Sequence, residues 1–305
     1  MKILVIGTGA IGGLYAAKLS QVGAEVSVVC RSDYEQAKQG GIAIKSLWGD
    51  FNFKPHQVLR DVKEFSGQAD FILIATKVLP EISLPDLIRP VLTPETSIAI
   101  IQNGIFIEKD LAQAFPNHHL LSIIAFVAVR KERPALVEHD GDGRLTIGEF
   151  QNPNPQKTRE IFELWQKSGV PCILSEDVQF DRWKKLLWNA SFNPISVVAG
   201  GLDTKQILDD PKLKNLIRNV MLEVKLLAKA QGYEISEELI DKTISDTAAR
   251  KVPAITSMLL DFRASKKMEV EAILGNALRF ARDKNIELPL ISEFYRKLSS
   301  PSLRA

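Results

Sequence analysis

Cysteine and histidine are scarce in this chain of 305 residues, which contains 2 cysteines and 4 histidines. Two cysteines cannot build the disulfide framework of a small secreted domain, and neither has a partner at the C-x-x-C spacing of metal and redox sites. The histidines form no H-x-x-x-H pair, and the sequence contains no G-x-S-x-G elbow. These absences argue against a disulfide scaffold, a zinc site and a serine-hydrolase mechanism.

An excess of charge of one sign is also lacking, because 39 Lys and Arg residues balance 37 Asp and Glu residues and the formal net charge is +2. Without a basic block or a ladder of basic and aromatic residues, the chain is not expected to bind nucleic acid or an anionic membrane surface. No apolar run approaches the roughly 18 residues of a membrane span, and the N-terminus enters an apolar strand without a leader sequence. The sequence therefore predicts a cytoplasmic protein, and its length suggests about two domains.

The chain begins with a strand, a glycine turn, a helix and a second strand between Met1 and Arg31. The apolar strand KILVI leads into glycines at G-x-G-x-x-G spacing, and an apolar helix follows them. In such a turn the first glycine allows the tight bend, the second lets a pyrophosphate approach the backbone, and the third lets the helix pack on the strand. The free N–H groups at the helix start then face the phosphates. The predicted cofactor-binding residues are Gly7, Thr8, Gly9, Ala10, Ile11 and Gly12, and the alternative is a glycine-rich turn in another βαβ unit.

The end of the second strand, Glu25 to Val29, indicates which dinucleotide binds. A carboxylate there holds the ribose 2′-hydroxyl of NAD, but this chain has Cys30, followed by Arg31. A guanidinium suits a 2′-phosphate, and the missing carboxylate removes the repulsion that would exclude it. The sequence therefore predicts NADP(H) as the cofactor, with Arg31 as a binding residue. The alternatives are that Asp33 acts as a late acceptor for the ribose and that Arg31 is a solvated surface residue.

Further apolar runs in the first half predict an α/β sheet. The runs are Phe71 to Ala75, Ser97 to Ile101, Leu120 to Val129, Arg144 to Ile147 and Cys172 to Leu174. Helical or loop segments separate the earlier runs, so those strands are predicted to be parallel. The later strands are predicted to pair antiparallel at the sheet edge, with Pro134 and a turn at Asp140 to Gly143 between them. Both cysteines fall at the ends of predicted core strands, where reduced, packed thiols are expected.

Leucine, isoleucine and valine recur at helical spacing in the second half, and strand signals nearly vanish. The predicted helices are Val178 to Val198, Lys212 to Gln231, Ser236 to Ala249, Ile255 to Ala264 and Met268 to Lys284. The predicted fold is α/β, with a Rossmann-type dinucleotide-binding domain at residues 1–175 and an all-α substrate domain at residues 176–305. The apolar helix from Leu213 to Leu227 is expected in the core, and a homodimer interface is the alternative.

Two polar positions follow predicted strands in the first half. Lys77 follows the strand FILIAT, and Asn103 with Gly104 follows SIAIIQ. Ligands of open α/β sheets collect at the carboxyl ends of the strands, so both positions are candidates for the cofactor edge. A surface lysine and a plain turn are the alternatives.

A polar stripe marks the first helix of the second half. Lys185, Asn189 and Asn193 are spaced i, i+4 and i+8, so their side chains share one face of the helix. Asparagine is a poor helix former, and polar groups beside leucines and tryptophans cost stability unless something polar binds there. The stripe is predicted to bind a polar ligand, and a solvated surface stripe is the alternative.

Together these motifs resemble those of the ketopantoate reductases (2-dehydropantoate 2-reductases), a family that joins an NADP-binding Rossmann domain to a helical domain. The resemblance spans almost the whole chain, and the helix with lysine, two asparagines and proline is its most specific part. The matching segments are GTGAIGG at 7 to 13, Arg31, Thr76-Lys77, Gln102-Asn103-Gly104, WKKLLWNASFNPIS at 183 to 196, Ser257-Met258 with Asp261, and Glu269.

The resemblance implies NADPH-dependent reduction of 2-dehydropantoate to pantoate, in the synthesis of pantothenate and coenzyme A. It implies that Lys185 is the general acid that protonates the carbonyl oxygen as hydride reaches the adjacent carbon. The implied substrate-binding residues are Lys185, Asn189, Asn193, Asp203 and Ser257, and the implied cofactor-binding residues outside the glycine turn are Arg31, Lys77, Asn103, Ala128 and Glu269. Glu269 would lie near the nicotinamide or the substrate hydroxyl.

Two departures from the family pattern concern the substrate. Asp203 stands where the family often has an asparagine for the substrate hydroxyl, and Ala254 stands where some members have a substrate-binding asparagine. A carboxylate can accept a hydroxyl hydrogen bond, whereas an alanine side chain cannot bond at all. The alternatives are therefore a related reductase of another bulky 2-oxo acid and a non-catalytic protein that senses NADP(H).

Overall fold

The computed structural model describes residues 1–300 and 303. The chain divides into two compact units. The first comprises Met1–Lys77, Glu81–Gln102 and Glu108–Val178, and the second comprises Val78–Pro80, Asn103–Ile107 and Gln179–Ala305. The second unit thus includes two short segments that follow strands of the first along the chain.

The first unit is built on one mixed sheet. Within the described residues its strands are β1 (Lys2–Ile6), β2 (Glu25–Val29), β3 (Ile42–Ser46), β4 (Phe51–Phe53), β5 (Val58–Leu59), β6 (Phe71–Ile74), β7 (Ser97–Ile100), β8 (Leu120–Arg133), β9 (Leu136–Gln151) and β10 (Cys172–Leu174). The strand order is β4-β3-β9-β8-β7-β6-β1-β2-β5, and β10 pairs with β9. The predicted parallel arrangement is confirmed at the centre, where β8, β7, β6, β1 and β2 run in one direction.

Helices accompany this sheet, as its buried strands require. They are α1 (Ala10–Ser20), α2 (Tyr34–Gly40), α3 (Leu84–Ile88), α4 (Lys109–Ala114) and α5 (Pro155–Lys167). The central strands β1 and β6 are almost wholly apolar, which is typical of parallel strands covered on both faces. In the core beside them, the rings of Tyr15 and Trp165 pack edge to face with centroids 5.6 Å apart.

The predicted turn at Asp140 to Gly143 is wrong, because these residues lie inside β9. The hairpin between β8 and β9 turns at Pro134 and Ala135, where Ala135 has a φ of 55°. Asp142 and Gly143 also have positive φ, and the pairing with β8 shifts beside them. Turn-forming residues here produce a β-bulge rather than a reversal of the chain.

The predicted antiparallel pairing holds for β8 with β9 but is wrong for β10, which runs parallel to β9. The reason is α5, which lies between β9 and β10 along the chain and brings the chain back in the same direction, as in a βαβ unit. The expectation of a core position for this strand is also wrong. Cys172 is half-buried, and Ile173 and Leu174 are exposed. Cys30, by contrast, is buried, and both thiols are free.

From residue 179 onward, the described residues of the second unit form helices joined by loops, and no strand. Its helices are α6 (Val178–Val198), α7 (Thr204–Asp209), α8 (Pro211–Ala230), α9 (Glu237–Ala248), α10 (Ser257–Arg263), α11 (Asn276–Asp283) and α12 (Pro289–Ser299), with a π-helical turn at Glu271–Gly275. Trp183, Phe192 and Val224 are among the side chains of its core. The predicted fold class, an α/β domain followed by a helical one, is confirmed. Across the described residues, no helix is long and apolar enough to span a membrane.

Candidate functional site

The glycine turn between β1 and α1 is closed on two sides and open on the third. A Cβ atom at Gly12 would lie 2.2 Å from the carbonyl oxygen of Gly7, so the helix packs directly on the turn. Gly7 has a φ of 95°, and a Cβ atom there would lie 2.6 Å from the backbone nitrogen of Thr76. At Gly9, however, a Cβ atom would have no described heavy atom beyond its chain neighbours within 4 Å. These contacts match the three roles of the glycines in a dinucleotide turn.

The start of α1 has donors for an anionic group. Gly9 is the N-cap and supplies no side-chain acceptor, and the first turn carries no acidic residue. The first N–H groups of α1 therefore need an acceptor from elsewhere, and a pyrophosphate beside Gly9 would provide one. The buried hydroxyl of Thr8 donates to the carbonyl oxygen of Val29 at 3.0 Å. The side chain of Thr8 thus joins the ends of β1 and β2.

The end of β2 carries the residues that were predicted to select the dinucleotide. Arg31 is exposed, and its side chain has no hydrogen-bond or ion-pair partner in the described part of the chain. Burial raises the pKa of the Cys30 thiol, which keeps this neighbour neutral. Asp33 is buried, and its Oδ1 accepts hydrogen bonds from Ser32 Oγ at 2.7 Å and Lys131 Nζ at 2.8 Å.

Two further predicted cofactor positions lie on or just after strands of the first unit. Lys77 is half-buried and follows β6, where the carbonyl oxygen of Thr76 accepts a 2.7 Å hydrogen bond from Gln102. Gln102 lies two residues after the end of β7, so this bond joins the segments that follow two neighbouring strands. Ala128 is half-buried on β8 opposite Gly141.

The predicted polar stripe lies along α6, which has the bounds that the sequence predicts. Lys185 is half-buried, whereas Asn189 and Asn193 are only 4% and 1% exposed. Within the described residues, Oδ1 of Asn193 is buried without a hydrogen-bond partner. The stripe is therefore not a solvated surface, because its asparagines are buried. Trp188 stacks on Phe192 at a centroid distance of 5.2 Å beside it.

The two positions that depart from the family pattern are neighbours in the second unit. Thr204, the residue after Asp203, donates its backbone N–H to the carbonyl oxygen of Ala254 at 3.1 Å, and its hydroxyl accepts from the Ala254 N–H at 2.9 Å. Asp203 is the N-cap of α7, and its Oδ1 accepts from the Gln206 N–H at 2.8 Å in a capping box. One oxygen of this carboxylate is therefore already used to stabilise a helix.

Ser257 is the exposed first residue of α10. The preceding residue, Thr256, caps this helix by accepting from the Leu259 N–H at 3.1 Å. The hydroxyl of Thr256 also lies 2.6 Å from that of Ser196 on α6. Thr256 and Ser196 thus connect the helix of the asparagine stripe to the helix that presents Ser257, and sequence reasoning missed both of them.

Glu269 joins the two short strand-following segments of the second unit. Its Oε1 accepts from the Val78 N–H at 3.1 Å, and its Oε2 accepts from Asn103 Nδ2 at 3.4 Å. Gly104 has a φ of 112°, and a Cβ atom there would lie 2.5 Å from the carbonyl oxygen of Ala272. The resemblance places Asn103 and Glu269 at the cofactor, and the structure brings these two side chains together.

Other residues that hold this region were not found from the sequence. Arg182, which is buried on α6, donates to the carbonyl oxygen of Gly104 at 3.2 Å, and Asn276 donates to that of Ile105 at 2.7 Å. These partners are 78 and 171 positions apart along the chain, so no local pattern reveals them. In the described part of the chain, no group of three or more His, Cys, Asp or Glu side chains is arranged to hold a metal ion.

Comparison with known proteins gives two matches to family models that together cover most of the chain. Residues 3–152 match the model described as ketopantoate reductase PanE/ApbA, and residues 177–301 match its C-terminal counterpart. A 2-dehydropantoate 2-reductase of a Nostoc species is 32% identical over 302 residues, which cover 97% of this chain and 94% of the relative.

Solved structures give the same result. The crystal structure of 2-dehydropantoate 2-reductase from Methylococcus capsulatus is 38% identical, with a TM-score of 0.91, and the match covers 100% of this chain and 97% of that one. A D-mandelate dehydrogenase shares the fold with a TM-score of 0.91 at 18% identity, and both chains are covered completely.

Proposed function

The chain belongs to the ketopantoate reductase PanE/ApbA family, and on that basis we propose that it reduces 2-dehydropantoate to pantoate with NADPH. Its relatives named 2-dehydropantoate 2-reductase support its assignment as an oxidoreductase. The reaction converts the ketone of a branched 2-oxo acid into a secondary alcohol, and its product would serve pantothenate and coenzyme A synthesis in the cytoplasm. A homodimer through the helical region stays a prediction.

The observation that carries the proposal is the buried polar stripe of α6. An unpaired polar atom in such a position costs roughly 1–3 kcal/mol unless a ligand bonds to it. The unpaired atom of Asn193 is an acceptor oxygen, so the ligand that satisfies it must donate a hydrogen bond. The hydroxyl group of 2-dehydropantoate supplies such a donor, whereas a 2-oxo acid without a hydroxyl offers only acceptors.

The chemistry assigned to Lys185 follows from the charge that the reaction develops. NADPH, when bound, supplies the hydride that attacks the carbonyl carbon. Negative charge then builds on the carbonyl oxygen, and the Lys185 ammonium stabilises that charge and donates the proton. Asn189 and Asn193 hold the substrate one and two helical turns further along α6, and Ser257 donates to its carboxylate.

The nucleotide is assigned to the first unit by the turn at Gly7, Gly9 and Gly12, which fits a pyrophosphate. Arg31 is exposed after β2 and is assigned to the 2′-phosphate of NADP(H). Lys77, Ala128 and the pair formed by Asn103 and Glu269 complete the cofactor assignment. In that pair the Glu269 carboxylate orients the amide of Asn103, because it accepts the hydrogen bond from Nδ2 and leaves Oδ1 for another donor.

The alternative substrate is another bulky 2-oxo acid, and the pair Asp203 and Ala254 favours it. One carboxylate oxygen of Asp203 caps α7, and the backbone N–H and C=O of Ala254 both bond to Thr204. Because Asp203 carries a carboxylate and Ala254 a methyl group, neither position offers the side-chain amide that some family members have there. A protein that only senses NADP(H) would not need the stripe on α6.

The test is an assay of NADPH oxidation with 2-dehydropantoate as substrate, in which the loss of nicotinamide absorbance is monitored. Parallel assays replace NADPH with NADH, or 2-dehydropantoate with 2-oxoisovalerate. We expect turnover with NADPH and a preference for 2-dehydropantoate over 2-oxoisovalerate of about a hundredfold or more, because the analogue leaves a buried acceptor unpaired. Equal turnover of the two acids would favour the alternative substrate, and NADPH binding without turnover of either would favour a different bulky 2-oxo acid or the sensor.

A further inference from the structure

Ser32 and Asp33, which directly follow Arg31, form a hydrogen-bonded cluster of three side chains with Lys131. Lys131 Nζ lies 2.9 Å from Ser32 Oγ and 2.8 Å from Asp33 Oδ1, and Ser32 Oγ lies 2.7 Å from the same carboxylate oxygen. Asp33 is 2% exposed, whereas about a fifth of the Lys131 side chain remains accessible. The carboxylate is thus covered, whereas part of the Lys131 side chain is accessible.

Lys131 reaches this position because β8 is long. The strand continues to Arg133 and forms a hairpin with β9. The first residues of β9 also pair with β3. Lys131 is 98 residues from Asp33 along the chain, and it pairs with Val137 near the tip of this hairpin. The hairpin therefore supplies a cation to the loop after β2. In a dinucleotide-binding fold, the residues at this position distinguish NAD(H) from NADP(H).

A carboxylate near the end of β2 favours NAD(H), since it accepts a hydrogen bond from the ribose 2′-hydroxyl and repels a 2′-phosphate. Asp33 is such a carboxylate, two residues after Arg31. Its ion pair with Lys131 cancels its charge and occupies its Oδ1 atom. Arg60, which follows β5 beside β2, forms an ion pair with Glu35. Lys131 thus neutralises a carboxylate that would otherwise repel a 2′-phosphate bound at Arg31.

We propose that Lys131 is a specificity-determining residue for the cofactor: it neutralises Asp33 and presents its ammonium, with Arg31 and Ser32, to the 2′-phosphate of NADP(H). The proposal rests on the NADP(H) assignment of the proposed function, and it adds a residue from a distant strand to that assignment. A phosphate oxygen binds an ammonium and a hydroxyl through charge-assisted hydrogen bonds, so the cluster suits this group chemically.

The test measures nucleotide binding by calorimetry, independent of turnover, for NADPH and NADH. Lys131→Met is expected to weaken NADPH binding by about tenfold or more while NADH binding is unchanged or stronger, because a phosphate contact is lost and Asp33 is uncovered. Lys131→Arg should keep the preference. The matched control is Lys45→Met on β3, where an exposed lysine pairs with Glu138 at 3.9 Å and the preference should not change.

A double-variant cycle separates neutralisation of Asp33 from simple support of the loop. In an Asp33→Asn background, Lys131→Met leaves no carboxylate unpaired, so the protein keeps its fold and the loss of NADPH preference should be smaller than in the wild-type background. An equal weakening of both nucleotides by Lys131→Met would overturn the proposal while NADP(H) use stands. Equal affinity of the wild-type protein for both nucleotides would overturn the NADP(H) assignment and, with it, the role of Lys131.

Discussion

The hydroxyl oxygens of Ser196 and Thr256 lie 2.6 Å apart, and both side chains are buried. Ser196 also donates to the carbonyl oxygen of Asn193 at 2.8 Å, and Thr256 caps α10. The contact therefore joins the backbone of a buried asparagine in the stripe to the turn that presents Ser257. Two helices that are 60 residues apart along the chain are fixed to each other by a pair of hydroxyl groups.

Thr256→Val is expected to lower the free energy of unfolding by about 0.5–2 kcal/mol, because it removes both the cap of α10 and the bond to Ser196. It should also raise the KM for the 2-oxo acid, because Ser257 is no longer held in position. Thr256→Ser keeps the hydroxyl and serves as the control. Urea unfolding and steady-state kinetics measure the two effects, and an unchanged KM in a destabilised Thr256→Val protein would show that the contact is structural only.

Lys185→Met is expected to lower kcat by about 10²- to 10⁴-fold, since the positioned proton donor is removed. NADPH binding should stay the same, because the nucleotide is assigned to the glycine turn. The control is Lys184→Met, one residue earlier on α6, where the lysine pairs with Asp181 and lies over the ring of Phe180. If Lys185→Met retained kcat within a few-fold of the wild type, the role of Lys185 as general acid would be wrong.

Asn193→Ala should cost little stability although its side chain is almost completely buried. The substitution loses packing contacts, but it also removes an acceptor oxygen that has no partner among the described residues. We expect the free energy of unfolding to change by no more than about 1 kcal/mol, while the KM for the 2-oxo acid rises at least tenfold. A loss of several kcal/mol with an unchanged KM would mean that this residue is structural.

The helix with this stripe was accessible to sequence reasoning because its information is local. The apolar residues from Val178 to Val198 repeat at helical spacing, so both the bounds of α6 and the shared face of Lys185, Asn189 and Asn193 follow from the pattern. The glycine turn is local in the same sense. Its tight and open sides, at Gly12 and Gly9, are those that the spacing predicts.

Contacts between distant segments were not accessible. The pairing of β10 depends on the path that the chain takes through α5, and the partner of Asp33 lies on a hairpin 98 residues away. The residues Asp140 to Gly143 have the composition of a turn, but cross-strand pairing keeps them inside β9. In each case tertiary pairing overrides a local signal, and a single sequence does not encode that pairing as a pattern.

The stability of the first unit should fall when the pH drops below about 6.5. Burial lowers the pKa of His139. Its Nδ1 atom lies 2.8 Å from Ser46 Oγ, and its Nε2 atom lies 3.0 Å from the carbonyl oxygen of Asp142. Below about pH 6.5 the unfolded chain binds a proton that the folded chain does not, so the free energy of unfolding decreases until the pH passes the lower folded pKa.

His139→Gln should therefore show a smaller decrease in the free energy of unfolding between about pH 7.5 and about pH 5.5 than the wild type. Its stability at the higher pH will be lower, because the bonds to Ser46 and Asp142 are changed. The control is His56→Gln, at a half-exposed histidine, which should keep the wild-type decrease. Urea unfolding at both pH values measures the effect, and identical decreases in all three proteins would contradict this role for His139.

Gly9→Ala and Gly12→Ala should separate nucleotide binding from folding, because the two added methyl groups meet different surroundings. At Gly9 the backbone has φ −74° and ψ −155°, which alanine adopts, and the methyl group meets no described heavy atom beyond its chain neighbours within 4 Å. Gly9→Ala should keep the free energy of unfolding within about 0.5 kcal/mol of the wild type. It should weaken NADPH binding at least tenfold, since the methyl group occupies the approach of the pyrophosphate. At Gly12 the methyl group would lie 2.2 Å from the Gly7 oxygen, so Gly12→Ala should destabilise the protein even without nucleotide. A Gly9→Ala protein that binds NADPH normally would place the pyrophosphate elsewhere and remove the central support for the dinucleotide assignment.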